Sequence, residues 1–252
     1  MKIKYLVFLL AAAMALGGLS ACGGPTDPDP PGPFTFSGTI MSGGAPLAGV
    51  QVFLSRDESK SAVTDANGSF SFTDVEGSQF VVTPSLRNNA FTPSNYELGG
   101  QSRTDLTFTA APATYGGDLG RIAADFTAVN QAGQPVSLYS YFGKVVLFDF
   151  SAEWCGPCRA EAEKAEALYQ QYKAKGFEML TILCDPGSEL AWASQYGLTF
   201  PVLDDTAWNI FNIFDEQGYI PLNIILDRNM NIRYKATGYS ETAIVAAIKK
   251  YL

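Results

Sequence analysis

Between Phe34 and Ala110 the apolar residues fall at alternate positions in short bursts: Phe34/Phe36, Val50/Val52/Leu54, Phe70/Phe72, Phe80/Val82 and Leu106/Phe108. A period of two puts every apolar side chain of a burst on one face of an extended strand. The bursts are broken at Gly43-Gly44, Asn67-Gly68 and Pro93, residues that favour turns. Residues 34–110 therefore predict a small all-β sandwich. From residue 120 the pattern changes. Val145 to Phe150 is a nearly continuous apolar run, as a strand buried on both faces requires. It is followed by a helical stripe at Cys158, Ala162, Ala165, Leu168/Tyr169 and Tyr172, which predicts a helix from Gly156 to Lys175 with Gly176 as its C-terminal cap. Glu178 to Cys184 reads as a second buried strand, Gly187 to Tyr196 as a short helix, and Phe200 to Leu203 as a further strand. Leu222–Leu226 and Ile232–Ala236 predict a hairpin across Asp227–Asn231, and Ser240 a cap for a last helix that buries Ile244, Ile248 and Leu252. Alternating strands and helices of this kind describe an α/β domain with a central sheet flanked by helices over 120–252. Residues 111–119, with Pro112, Gly116 and Gly117, read as a linker.

The first residues carry a different message. Lys2 and Lys4 precede an apolar run from Tyr5 to Leu16, which ends in Leu19-Ser20-Ala21-Cys22. The run is too short, and too soon followed by small residues, to read first as a membrane-spanning helix; it predicts a removable leader over 1–21. Residues 22–33, with Pro25, Pro28, Pro30, Pro31 and Pro33 among Gly and Asp, cannot pack a core and predict an extended tether.

Composition narrows the chemistry. With 47% hydrophobic and 17% charged residues the chain is a folded protein, and a net charge of −8 excludes a nucleic-acid partner that needs a basic face. There is no His, and the four cysteines, Cys22, Cys155, Cys158 and Cys184, have no spacing suited to a closed zinc site, so no metal is expected. Asp65, Asn67 and Glu76 could suggest calcium. However, Phe70 stands where a calcium loop needs Gly, and the flanks are strands, which favours a turn.

The chemistry concentrates at Trp154-Cys155-Gly156-Pro157-Cys158, between the buried strand and the long helix. Two cysteines so spaced can close a small disulfide, and the positive end of the helix favours the thiolate of the first. Cys155 is thus the expected nucleophile and Cys158 the resolving thiol. Asp149 lies in the apolar strand, where a carboxylate costs free energy unless it is paired or protonated. Glu161 lies three residues after Cys158, on the same helix face. Without an imidazole, one of these two acids, or water, must exchange the Cys158 proton. Cys184, at the end of a buried strand, reads as an apolar filler.

These residues amount to a family pattern. Trp154 to Cys158 resembles the thioredoxin active site, and Gly218-Tyr219-Ile220-Pro221 resembles that family's cis-proline loop. Adding Ala124-Asp125-Phe126-Thr127, Tyr141-Phe142-Gly143-Lys144-Val145 and Cys158-Arg159-Ala160-Glu161, residues 118–252 are similar to the membrane-anchored TlpA/ResA type of thiol-disulfide oxidoreductase, related to the AhpC/TSA proteins. The pattern departs from its relatives at Asp149, where Asn is frequent, at Ser151, where an aromatic residue is common, and at Glu163, where a helix-kinking Pro is usual. The resemblance implies a thioredoxin fold, no bound cofactor, and a docking surface made by Trp154, Gly156, Pro157, Ile220 and Pro221, with a cis bond aiming the Ile220 backbone at substrate. It implies protein disulfides or dithiols as substrates, such as those of cytochrome c maturation, and a membrane thiol donor of electrons. Gly49 to Val52 and Thr64 to Phe70 resemble a carboxypeptidase regulatory-like, or transthyretin-like, sandwich. Leu19 to Cys22 resembles a bacterial lipoprotein signal, which implies lipidation of Cys22 and a place in the cell envelope; Gly23 implies the outer membrane. Two other readings compete. A thiol peroxidase needs Thr or Ser where Ala152 stands and Pro near Phe148, and a surface binding module would use the thioredoxin domain as scaffold only.

Overall fold

The computed structural model describes residues 33–57, 59–215 and 217–252. The leader over 1–21, Cys22 and the tether up to residue 32 lie outside the described residues. Among the described residues no helix is long and apolar enough to cross a membrane.

The amino-terminal lobe holds β1 (Phe34–Ser42), β2 (Gln51–Arg56), β3 (Lys60–Val63), β4 (Ser69–Val75), β5 (Gln79–Ser85), β6 (Asn89–Thr92), β7 (Tyr96–Gly99) and β8 (Arg103–Pro112). In one sheet β1 lies between β4 and β8, with β6 beyond β8; the other runs β3-β2-β5-β7. The alternating residues named above point between the two sheets. Phe36, Val50, Val52, Phe80, Val82 and Leu106 are fully buried there, and Phe36 packs on Phe80 with ring centroids 5.0 Å apart. Each such side chain contributes about 1.5–3 kcal/mol of transfer free energy, so these apolar rows carry most of this lobe's stability. Gly38 has no alternative, because a Cβ there would lie 2.0 Å from the Leu106 carbonyl oxygen.

The second lobe is organised on five strands: β9 (Val145–Ser151), β10 (Phe177–Leu183), β11 (Val202–Asp204), β12 (Leu222–Leu226) and β13 (Ile232–Thr237). They lie in the order β11-β10-β9-β12-β13, the first three parallel and the last two antiparallel to their neighbours. Val145, Leu147, Met179 and Ile225 face α1 (Gly156–Tyr172) and the carboxy-terminal helix; Val146, Phe148, Phe150 and Ile224 face the opposite layer with Phe126, Phe211 and Phe214. Burial on both faces is why β9 and β10 read as continuous apolar runs.

The boundaries differ from the expected ones in small ways. The second buried strand begins and ends one residue early, at Phe177 and Leu183. The long helix ends as an α-helix at Tyr172, tightens into a 3-10 turn over Lys173–Lys175, and stops at Gly176. Gly176 has φ +87°, and a Cβ there would sit 2.9 Å from Arg228 Nη1, so both conformation and space select glycine. The short helix α2 spans Glu189–Tyr196 and the last helix, α3, Glu241–Tyr251. Ser240 occupies the N-cap of α3 but its side chain makes no cap bond. The acidic Glu241 in the first turn complements the helix dipole instead.

The two lobes belong to one compact unit. In β5, Phe80 and Val82 face the sandwich, while Val81, Thr83 and Ser85 are buried too, because their face meets the second lobe. Val81 joins the same apolar cluster as Val145 and Leu147. Ser85 Oγ donates to the Arg228 carbonyl at 2.9 Å, Leu86 N–H to Asn229 Oδ1 at 3.0 Å, and Asn229 Nδ2 to the Asn89 carbonyl at 2.9 Å. Arg228 lies 4.6 Å from the Phe53 ring centroid and donates to the carbonyls of Gly143, Lys175 and Leu252. The segment between the lobes is itself engaged: Tyr115–Gly116 pairs with Ile122–Ala123, and a Cβ on Gly117 would lie 2.0 Å from the Ile213 carbonyl oxygen.

Candidate active site

At the end of β9 the chain turns through Ala152-Glu153-Trp154 and enters α1, with Cys155 as its N-cap and Pro157 in the first turn, a position that needs no N–H. The turn is held on both sides: Glu153 N–H donates to the Asp185 carboxylate, and Arg159 Nη1 to the Glu153 carbonyl. Cys155 and Cys158 are joined as a disulfide. The Cys158 N–H donates to Cys155 Sγ at 3.2 Å. In the reduced protein the same N–H and the helix N-terminus would favour a thiolate on Cys155. Cys155 keeps 5% exposure and Cys158 none, so only the first sulfur is open to an incoming group. Trp154 is 66% exposed and Tyr219 61%, and Gly156 and Pro157 are exposed as well. The Ile220-Pro221 bond is cis, and Ile220 packs on the cluster that contains both cysteines.

Behind the disulfide lies a buried polar layer. Strand register sets Asp149 of β9 opposite Thr181 of β10 and Asn223 of β12, so three polar side chains share the face that α1 covers. Both Asp149 oxygens are taken: Ser151 Oγ donates to Oδ2 at 2.6 Å and Thr181 Oγ1 to Oδ1 at 2.8 Å. Glu161, buried on α1, receives one bond, from Asn223 Nδ2 to Oε2 at 3.2 Å; its Oε1 is buried and has no partner. Burial raises the pKa of both acids. For Asp149 the two hydroxyls oppose that rise and hold it to about 6. For Glu161 the charge of Asp149 adds to burial, Asn223 opposes them, and the value is pushed up to about 9. The two acids therefore have unequal tasks: Asp149 is a buried carboxyl with both oxygens occupied by hydroxyl donors, and Glu161 a proton holder with one oxygen free.

Cys184 follows β10, buried and free, with its thiol pushed up to about 12 by burial and by the charges of Asp205, Asp185 and Asp149. Asp65 Oδ1 accepts from the N–H groups of Asn67 and Ser69, both at 2.8 Å, which makes a turn of that stretch. No metal-ligating group of three or more acids or cysteines occurs among the described residues. Sequence reasoning missed Thr181 and Asn223 as parts of the site and noted Ser151 only as a departure. A signal existed for Asn223, a polar residue inside the apolar strand Leu222–Leu226 and two positions after Pro221.

A dithiol capping the helix that follows the central strand, with buried acids behind it and a cis-proline loop alongside, defines a thiol-disulfide oxidoreductase of thioredoxin fold. The AhpC/TSA family model matches residues 119–235. The chain is similar to the thiol-disulfide oxidoreductase ResA of Geobacillus kaustophilus, 31% identical over 122 residues, which are 48% of this chain and 70% of that protein. It is similar to ResA of Geobacillus thermodenitrificans at 30% identity with the same coverage. Among solved structures, a thiol:disulfide interchange protein of the thioredoxin family from Chlorobium tepidum is 25% identical, covers 50% of this chain and 92% of its own, and superposes with a TM-score of 0.46. The chain belongs to the ResA-type thiol-disulfide oxidoreductases.

Proposed function

We propose that this oxidoreductase is a lipid-anchored reductant of protein disulfides in the bacterial cell envelope, of the kind that serves cytochrome c maturation. In this reading residues 1–21 are removed, Cys22 carries the lipid in the outer membrane, 22–33 tether the protein, and the sandwich over 34–110 and linker over 111–119 mount the redox domain at 120–252. The observation that carries the redox assignment is the asymmetric pair: an accessible sulfur on the helix N-terminus and an inaccessible one three residues before a buried acid with a free oxygen on the same helix.

The reaction runs in two exchanges. Cys155 thiolate attacks one sulfur of a substrate disulfide; the new S–S bond forms as the old one breaks, and the released substrate thiolate takes a proton from water. Cys158 then gives its proton to the free oxygen of Glu161 in those molecules where that acid is ionised, a minority below about pH 9, and its thiolate attacks Cys155 Sγ. The second substrate sulfur leaves as a thiolate and takes the proton held by Glu161, and the enzyme is left with the Cys155–Cys158 disulfide. Asp149 keeps Glu161 basic through its charge, and Trp154, Gly156, Pro157, Ile220 and Pro221 form the surface that receives the substrate strand. Two electrons and two protons from a membrane thiol donor restore the dithiol.

Equilibrating the full chain in dithiothreitol and glutathione buffers, with Cys155→Ser as control, tests the direction. A potential near or below about −270 mV, that of thioredoxin, supports the reductant. A potential near about −120 mV, that of the strong oxidants, overturns it. In the same assay Cys158→Ser should accumulate a mixed disulfide with a test protein. Cys155→Ser should form none.

A further inference from the structure

Asn223 has no task in the reaction as written, yet it sits at the centre of the buried layer. It is fully buried in β12, opposite Asp149, and its amide makes two donations: to Glu161 Oε2 at 3.2 Å and to the Gly238 carbonyl at 3.3 Å. The second fixes the direction of the first. Gly238 is itself held by its N–H, which donates to the Pro221 carbonyl at 2.7 Å. If the amide turned over, its oxygen would face the Gly238 carbonyl and lose that bond. Asn223 is therefore a one-way donor to Glu161, and a fixed donor stabilises a carboxylate over a carboxylic acid.

We propose that Asn223 is a positioning residue for the resolving step, holding Glu161 by one oxygen so that the other faces no partner and remains open to the Cys158 proton. This rests on the reading of Glu161 as the proton acceptor. Burial and the charge of Asp149 on β9 disfavour the charge of Glu161, and burial together with the charge of Glu161 holds the neighbouring phenols of Tyr234 on β13 and Tyr239 before α3 protonated, with Glu241 adding to this at Tyr239. The cations of its own helix, Arg159 and Lys164, are engaged by the Glu153 carbonyl and the Glu241 carboxylate. Asn223 is the only hydrogen-bond donor to Glu161 shown among the described residues, so it alone opposes burial and the Asp149 charge. Its anchor on Gly238 also ties the acid to the loop that carries Pro221, on which the substrate strand would lie.

The test separates the two sulfurs. Reduced full-length protein is mixed in stopped flow with the symmetric aromatic disulfide of 5-thio-2-nitrobenzoate. Cys155 attack releases the first aromatic thiolate and Cys158 attack the second. In Asn223→Leu, of similar volume and without a donor, the midpoint of the second phase should move to higher pH by about one unit, the worth of one hydrogen bond to a charged group, with the first phase unmoved. In Glu161→Gln the pH dependence assigned to the acid should vanish, and adding Asn223→Leu should then shift nothing further. A second phase in Asn223→Leu with the wild-type midpoint overturns the proposal. A Glu161→Gln profile identical to wild type overturns instead the reading beneath it. Should Asn223→Leu fail to fold, the wild-type protein still decides the matter: the Asn223 side-chain amide resonances must titrate with the midpoint of the second phase and lose that titration in Glu161→Gln. Resonances that stay flat across that midpoint overturn the proposal.

Discussion

The two ends of the central sheet bury polar residues in different ways. At the end that meets the sandwich, Asp227 accepts from the N–H groups of Asn229 and Asn231, from Asn231 Nδ2 and, at 2.6 Å, from Arg233 Nε. Arg233 continues to Ser94, and Asn229 bridges two backbone groups of the other lobe. At the dithiol end, by contrast, Glu161 Oε1 and Asn223 Oδ1 are buried with no partner. A network with its acceptors filled fixes geometry, even with Arg228 Nε unpartnered there, whereas an empty acceptor position one helical turn from Cys158 is placed to take up a proton. The same fold thus uses polar burial once as a joint and once as a reactive site.

Breaking the joint should have the largest effect on stability. Arg228→Ala removes a buried cation with bonds to three carbonyls and a contact with Phe53, and should cost about 3 kcal/mol or more. Urea unfolding measures that loss. The reduction potential of the molecules that remain folded should be unchanged, since nothing at the dithiol is touched. Equal stability of variant and wild type would show that the joint is ornamental.

The reactive end should reveal itself through pH. The folded-state pKa of Glu161 lies above its ordinary value of 4.5, at about 9. Its neutral form is therefore favoured in the folded chain. The stability it contributes is complete below about pH 4.5 and is lost as the pH rises through about 9. Glu161→Gln should flatten the decline of the urea midpoint over that range, by more than about 1 kcal/mol at its upper end. A decline that persists unchanged assigns it to other groups.

The smallest effect belongs to the surface. Trp154→Ala, at an exposed position, should alter stability by no more than about 0.5 kcal/mol. It should slow reduction of a protein disulfide several-fold and leave a small aromatic disulfide unaffected. Equal slowing of both substrates would place Trp154 in the support of the dithiol instead.

These three positions were unequally visible in the sequence. Trp154 and Glu161 stand out because a cysteine pair marks their neighbourhood and helical spacing counts outward from it. The sandwich was equally legible, since Phe36, Val52, Phe80 and Leu106 obey a period of two that packing alone requires. Arg228 gave no sign. In a hairpin turn from Asp227 to Asn231, four of the five residues are polar, and the approach of β5 and Phe53 makes the Arg228 part of that turn interior. Val81, Thr83 and Ser85 were hidden for the same reason, as a strand's outer face looks wet until a second lobe covers it. Thr181 joins Asp149 through strand register, a relation between residues 32 apart that no local pattern records.

Cys184 carries a practical consequence. With its pKa pushed up to about 12 the sulfur stays a thiol at pH 8, and its buried position bars an alkylating reagent. Modification of this sulfur therefore requires the chain to open, which makes Cys184 a built-in reporter of fluctuation. Its labelling rate, followed by mass spectrometry while Cys155 and Cys158 stay closed as a disulfide, would time the opening of the sheet beneath the reactive site without any added probe.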